Sequence, residues 1–334
     1  MTAFIIAEIG SVHDGSLGNA LKLIDAAREC GADAVKFQTH VAEAETTATA
    51  PSPSYFTAEP RFAYFKRTAF TLDQWKALQA RCSEIGITFL SSPFSETAVD
   101  LLEQIGMPIY KIPSGEVSNT PLLEKIARLH KPILLSSGMS SWAELDRAVA
   151  LIRKHHDQIT LMQCTSQYPC DYARVGLNVM QEMRTRYGFP VGLSDHTVTI
   201  YAPIAAVTLG AVVIEKHFTF SRRMYGSDAA NSLEPSQFRD MVDGIRAVEA
   251  MLTVAVDKND LTPFTAMKSI FEKSVVVLKD VAAGTRLTRE MLALKKPGSG
   301  IPAARLDQVI GRTTARSIAA DTVLQESDVI WSDQ

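Results

Sequence analysis

Short runs of β-branched and aromatic residues alternate along this chain with longer segments whose apolar residues recur every three to four positions. The first kind predicts buried strands and the second amphipathic helices. The opening strand is predicted over residues 4–8. The first helix is predicted over 17–30, with Leu21, Ile24 and Ala27 on one face and Gly31 as its stop. A strand over 34–38 follows, then a stretch over 39–69, rich in Pro, Ala and Thr, that reads as a long insert. The rhythm resumes with a helix over 72–85 and a strand over 88–91. It continues with helix–strand pairs over 96–105 and 109–112, 122–129 and 133–136, 142–153 and 159–163, 179–187 and 191–193, and 200–209 and 212–215. A last helix over 235–251 closes the series.

Eight strand–helix units in about 250 residues match a closed parallel barrel. An open doubly wound sheet would call for G-x-G-x-x-G after the first strand, and EIGSVHDG does not supply it. The expected fold class is α/β: a (β/α)8 TIM barrel over residues 1–253. Past Thr253 the chain turns polar through Asp257, Lys258, Asn259 and Asp260 and meets Pro263, which reads as a linker over 254–268. From there short strands and turns (SVVVLKD, AAGTRL, KKPGSGIP) predict a small β-rich domain over 269–334. A domain of that size buries little surface of its own, so it is expected to pack on another surface.

Composition narrows the class further. The 334 residues are 46% hydrophobic and 21% charged, which is globular rather than disordered composition. A net charge of −3 offers no basic surface for nucleic acid. No apolar run reaches the ~20 residues of a membrane span, and MTAFIIAEIG lacks the basic start of a secretion signal. The cysteines, Cys30, Cys82, Cys164 and Cys170, form no C-x-x-C pair. A reducing cytoplasm is the expected location.

In a barrel of this kind catalytic groups gather at the C-terminal ends of the strands. Here those ends carry Glu8; Lys36 and Gln38; Ser91 and Ser92; Lys111, Ser114 and Glu116; Ser136 and Ser137; Gln163, Thr165, Ser166 and Tyr168; Ser194, Asp195 and His196; and Glu215, Lys216 and His217. Two lysines among hydroxyls and Gly-flanked amides suit a phosphate or carboxylate anion; the plainer alternative is that each lysine pairs with a buried glutamate. His196 and His217 end adjacent strands and suit a divalent metal, or else bond to each other's surroundings without one. Glu8 and Glu215 fall on strands that meet when the barrel closes. Close carboxylates push one pKa upward, giving a candidate acid/base pair, unless one serves a metal or a lysine. His13, His40, His130, His155 and His156 read as surface or loop residues. Met139, Met162, Met180 and Met183 read as core filler, and Trp75 and Trp142 as helix packing. The segment PRFAYFKR over 60–67 reads as a lid or, with its aromatics, as a subunit contact.

Nine motifs in one order, IIAEIG, VKFQTH, SSPFS, YKIPSGE, LSSGM, QCTSQYP, GLSDHT, IEKHFTF and GSDAANSLEP, resemble the sialic acid synthase family, including legionaminate and pseudaminate synthases. KSVVVLKDVAAGTRLTREML, KKPGSGI and IGR resemble that family's antifreeze-like SAF domain. The resemblance runs from Phe4 to about Asp328. It implies condensation of phosphoenolpyruvate with an N-acetylmannosamine-type sugar, with C–O cleavage of phosphoenolpyruvate. It implies a divalent metal, Mn2+ or Mg2+, on His196 and His217, and proton and water handling by Glu8 and Glu215. Lys36, Ser92, Lys111, Ser114, Ser136 and Ser194 would grip phosphoenolpyruvate. Gln38, Glu116, Tyr168 and Asp228 would face the N-acylated amino sugar. It also implies a domain-swapped homodimer in which the SAF domain, through Lys296, reaches the partner's site. The chain departs from the family pattern at Val12 and Ser166, where Asn is common, and at Lys296, where Arg is common; an Arg fork and a Lys point charge are not equivalent. The acceptor is N-acetylmannosamine or a diacetamido trideoxy sugar. A metal-dependent sugar aldolase or epimerase would explain the lysines and histidines but not the C-terminal domain. A non-catalytic carbohydrate- or ice-binding role would leave the polar strand ends without purpose.

Overall fold

A computed structural model describes residues 2–54 and 58–331. The chain divides into two compact units, Met1–Val254 and Ala255–Gln334. In the first, chain order runs β1 (Phe4–Gly10), α1 (Leu17–Glu29), β2 (Ala34–Thr39), α2 (Ala42–Glu45), α3 (Arg61–Thr68), α4 (Leu72–Ile85), β3 (Thr88–Pro93), α5 (Glu96–Glu103), β4 (Tyr110–Ile112), α6 (Thr120–Ala127), β5 (Ile133–Ser136), α7 (Trp142–Ile152), β6 (Ile159–Cys164), α8 (Leu177–Tyr187), β7 (Val191–Asp195), α9 (Tyr201–Thr208), β8 (Val213–His217) and α10 (Pro235–Thr253). The eight strands pair in parallel in sequence order, and β8 returns to β1 to close the expected barrel.

Local sequence sets the element ends. Thr71 and Gln74 exchange hydrogen bonds at the start of α4, and Ser141 and Glu144 do the same for α7, so orphan backbone donors are satisfied. Gly86 stops α4 at φ +68°, a conformation that favours residues without a Cβ. Several strands extend past their predicted ends: β3 to Pro93, β7 to Asp195 and β8 to His217. β7 and β8 end in ionisable residues and β3 in Ser92 and Pro93, and an apolar run alone truncates each strand before them.

The insert carries helices of its own. It holds α2 and α3, and α3 starts where Pro60 ends an extended approach. Tyr64 and Thr68, four residues apart, bury one face of α3. Residues 55–57 of the insert lie outside the described residues. Trp75, Met162, Met180 and Met183 are buried in the barrel core as expected, and Trp142 packs against it.

The second unit has its own apolar core, including Val275, Val277, Leu287, Ile301, Val309 and Leu324. It begins with α11 (Thr265–Phe271), whose first turn falls in the stretch expected as linker. Then come β9 (Ser274–Val277), β10 (Leu292–Lys295), α12 (Leu306–Val309), β11 (Thr313–Thr314), β12 (Thr322–Val323) and β13 (Val329–Ile330). The strands form an antiparallel three-stranded sheet, β10-β9-β12, and a β11-β13 pair. Among the described residues no helix is long and apolar enough to cross a membrane.

Candidate active site

Side chains alternate in direction along a strand, so Lys36 and Gln38 on β2, Ser194 and His196 at the end of β7, and Glu215 and His217 on β8 fall on one side. Together with Glu8, Ser92, Lys111, Ser114, Ser136, Tyr168 and Asp228 they line one cavity of about 410 Å³ at the strands' C-terminal ends, the size of a small-molecule site. Register brings them close: Glu8 stands opposite Lys36 on one side and opposite His217 on the other, and Ser194 opposite Glu215. Asp195 and Lys216, one residue along, face the other way. They pair with each other, with side chains 1% and 0% exposed, and Lys216 also bonds the Thr197 carbonyl.

The barrel interior carries four ionisable groups in contact. Lys36 Nζ lies 2.8 Å from Glu8 Oε2 and 3.8 Å from Glu215 Oε1, and donates to Ser92 Oγ at 3.1 Å. Lys111 Nζ lies 3.3 Å from Glu215 Oε1, which also accepts from Ser194 Oγ at 3.0 Å. The lysines thus pair with glutamates and line the cavity at once. Burial pushes Glu8 above the usual carboxylate range, and Lys36 only partly offsets it. Burial also acts on Glu215, but Lys111 and Lys36 outweigh it and hold this carboxyl low. One acid is therefore poised to carry a proton while the other stays ionised, the separation that acid/base work requires.

Several polar atoms here lack a protein partner: Ser136 Oγ, Glu215 Oε2 and His217 Nδ1 are buried without one. Buried polar atoms are normally satisfied, so this group suits a ligand. Gly138 adds a cradle: a Cβ there would come 2.4 Å from Ser166 Oγ, 2.5 Å from Ser114 Oγ and 3.0 Å from Cys164 Sγ. Its amide donates to Ser114 Oγ at 3.0 Å. Gly10, at φ +52°, lets Asp228 approach in the same way, since a Cβ would meet Asp228 Oδ2 at 2.4 Å.

The rings of His196 and His217 lie with centroids 5.4 Å apart. His196 Nδ1 donates to the Thr165 carbonyl at 2.8 Å, which leaves Nε2, 3.1 Å from the Tyr168 hydroxyl, as the acceptor. Such a backbone bond fixes the tautomer as it does for metal-binding imidazoles. Burial pushes His217 down toward the neutral form. For His196 burial acts the same way, but Cys164 and the Thr165 carbonyl outweigh it, so a cation there would compete with a proton. Among the described residues no three or more His, Cys, Asp or Glu form a ready cage for a metal ion. The two imidazoles fit an open site whose other ligands come from substrate and water.

One expected site residue, Glu116, borders the cavity rather than lining it. Glu116 lies in the short turn Ser114–Glu116, within electrostatic reach of Arg61 and His40 of the cavity wall, and its carboxylate accepts from Asn119 Nδ2 at 2.7 Å. Lys296, expected to act on a partner subunit's site, belongs to the second unit, its ammonium 4.9 Å from the centre of the Phe271 ring. Other readings are corrected in the opposite direction. His40 is buried and lines the cavity, and His13 is buried against Phe70 at 4.4 Å between ring centres. Met139 is not core filler but 65% exposed at the cavity rim. Arg61, Tyr64 and Phe65 place the 60–67 segment on the cavity wall. His40 was legible in principle, because residues 36, 38 and 40 share one side of an extended chain.

The N,N'-diacetyllegionaminic acid synthase of Campylobacter jejuni is 37% identical over 330 residues, 96% of this chain and 98% of that protein. The N-acetylneuraminate-9-phosphate synthase of Mus musculus is 36% identical over 332 residues, 97% of this chain and 92% of that one. The crystal structure of N-acetylneuraminic acid (sialic acid) synthetase from Leptospira borgpetersenii in complex with citrate superposes with a TM-score of 0.71 at 30% identity, covering 80% of this chain and 92% of that one. The sequence pattern of the NeuB family matches residues 23–257, and that of the SAF domain residues 272–330. The chain therefore belongs to the NeuB family of enzymes and carries a C-terminal SAF domain.

Proposed function

We propose that the chain is a cytoplasmic, divalent-metal-dependent synthase that condenses phosphoenolpyruvate with an N-acetylmannosamine-type sugar to give a nonulosonic acid and phosphate. The observation that carries the reading is the gathering of Lys36, Lys111, Glu8, Glu215, His196 and His217 at one cavity. Lys36 and Lys111, with Ser92, Ser114, Ser136 and Ser194, grip the phosphate and carboxylate of phosphoenolpyruvate. Gln38, Tyr168 and Asp228 face the sugar. His196 and His217 would hold Mn2+ or Mg2+, which when bound polarises the sugar aldehyde. The new carbon–carbon bond joins the phosphoenolpyruvate alkene carbon to the aldehyde carbon. Glu8, held high, supplies the proton that the aldehyde oxygen takes up. Water adds to the carbon bearing the phosphate, Glu215 accepts its proton, and phosphate leaves with its bridging oxygen.

A second reading concerns the acceptor. The 37% identity to a legionaminic acid synthase supports a diacetamido trideoxy sugar. A panel of amino sugars incubated with phosphoenolpyruvate and Mn2+, read by phosphate release and product mass, decides both points. Release with one sugar and a product heavier by the three-carbon unit is expected; no release with any sugar overturns the reaction. The homodimer expected from the resemblance is read separately by light scattering on the same preparation.

A further inference from the structure

Along the cavity wall runs a hydrogen-bonded series whose outer members, His40 and Glu45, the chemistry above leaves unused. Gln38 Nε2 donates to Glu8 Oε1 at 2.7 Å. The Gln38 carbonyl oxygen lies 3.1 Å from His40 Nε2, and His40 Nδ1 lies 2.7 Å from Glu45 Oε1. The other Glu45 oxygen accepts from the Val41 amide at 3.3 Å, which fixes the carboxylate at the end of α2. The His40 ring is stacked between two phenylalanines, Phe65 of α3 at 3.7 Å and 6°, and Phe94 at 4.3 Å and 22°. The His40 and Glu45 side chains are only 5% and 4% exposed.

An amide offers a donor at one end and an acceptor at the other, and which end faces Glu8 decides whether the contact attracts or repels. With Gln38 turned to donate to Glu8, both polar neighbours of the imidazole are acceptors, the Gln38 carbonyl and the Glu45 carboxylate. The ring meets both of them directly, Nε2 at the amide and Nδ1 at the carboxylate. Its hold on the Gln38 carbonyl keeps that oxygen away from Glu8. Were the hold lost, the amide would be free to turn and to present its carbonyl in place of its N–H to Glu8, changing which form of that acid the contact favours. The stack fixes the ring plane, so the direction of the hold is set by packing rather than by chance.

We infer that His40, anchored by Glu45 and by the Phe65–Phe94 stack, is a positioning residue that acts through Gln38 on Glu8; the inference rests on the synthase reading above. The alternative is that His40 only ties the insert to β2. That alternative moves stability but not the division between kcat and KM.

The test measures phosphate release by the full-length protein with Mn2+, phosphoenolpyruvate and the amino sugar that the wild type turns over. His40→Phe keeps an aromatic ring between the phenylalanines and removes both ring nitrogens. Glu45→Gln keeps the side-chain shape and removes the charge. His40→Phe is expected to lower kcat on the order of tenfold to a hundredfold, the scale of a misdirected acid/base group, with the KM for phosphoenolpyruvate within about twofold. Glu45→Gln is expected to lower kcat about threefold or more in the same pattern, and His40→Gln, which restores an N–H donor, to recover part of the loss. A folded His40→Phe with the wild-type kcat, or with kcat and phosphoenolpyruvate KM impaired together, overturns the inference. If His40→Phe does not fold, an unchanged kcat in Glu45→Gln overturns it. Wild-type protein inactive with every sugar overturns the synthase reading and this inference together, whereas an active wild type with unaffected variants overturns this inference alone.

Discussion

Gly138 is where the smallest change should have the most specific effect. Its missing Cβ leaves room beside Ser114, Ser166 and Cys164, and its amide bonds Ser114 Oγ. Gly138→Ala is expected to push those side-chain ends aside and raise the KM for phosphoenolpyruvate about tenfold, with the sugar KM unchanged, because misplacing one binding group by an ångström has effects of that order. Steady-state kinetics with each substrate varied would show it, and an unchanged phosphoenolpyruvate KM would place the anion elsewhere. His13 gives a prediction about pH. Burial depresses it from 6.5 to about 4, with His40 acting in the same direction, and its Nδ1 accepts from the Gly15 amide. A histidine depressed in the folded state stabilises fully above pH 6.5 and loses that contribution as pH falls toward 4, for a total of about 3 kcal/mol. Urea unfolding at pH 7.5, 6 and 4.5 should show that acid limb, and His13→Gln, which keeps an acceptor without a titrating ring, should flatten it. Residue identity was legible where type and position coincided: lysines, glutamates and histidines at strand ends read as chemistry. Met139 and His13 were not legible, because a methionine after a strand or a histidine in a turn looks the same whether it is buried or exposed.

At the level of the element, periodicity read helices well. The span of α4 agrees with its predicted 72–85, because Thr71 and Gly86 announce both ends. Strands were read short. The apolar run of β8 stops near Ile214, yet the strand continues through Glu215, Lys216 and His217, all buried. Polar residues inside a closed barrel can be paired with one another, and that pairing is invisible along the chain. The helices of the insert went unread for another reason: they are brief, and Tyr64 and Thr68 alone carry the buried face of α3. The Asp195–Lys216 pair gives this level its prediction. Removing one partner of a fully buried pair leaves an uncompensated charge, so Lys216→Met is expected to cost about 3–5 kcal/mol by urea unfolding, and adding Asp195→Asn to recover much of it. A cost under about 1 kcal/mol would mean the pair does not tie β7 to β8.

For the molecule as a whole, the barrel and the C-terminal unit keep separate apolar cores, and the proposed cation lies in neither. Treatment with a chelator is therefore expected to abolish phosphate release while leaving the far-ultraviolet circular dichroism unchanged, and added Mn2+ to restore turnover. Loss of ellipticity on chelation would instead assign the metal to folding. The barrel also closes by setting its first strand against its last, with Glu8 opposite His217. An emerging polypeptide that has released everything before β8 still lacks one of the two acids and one of the two imidazoles. Long-range parallel pairing is among the slower events in a chain's history, so turnover here should arrive last. It would serve as a chemical clock for ring completion, silent in every shorter nascent species however much helix and sheet that species already holds.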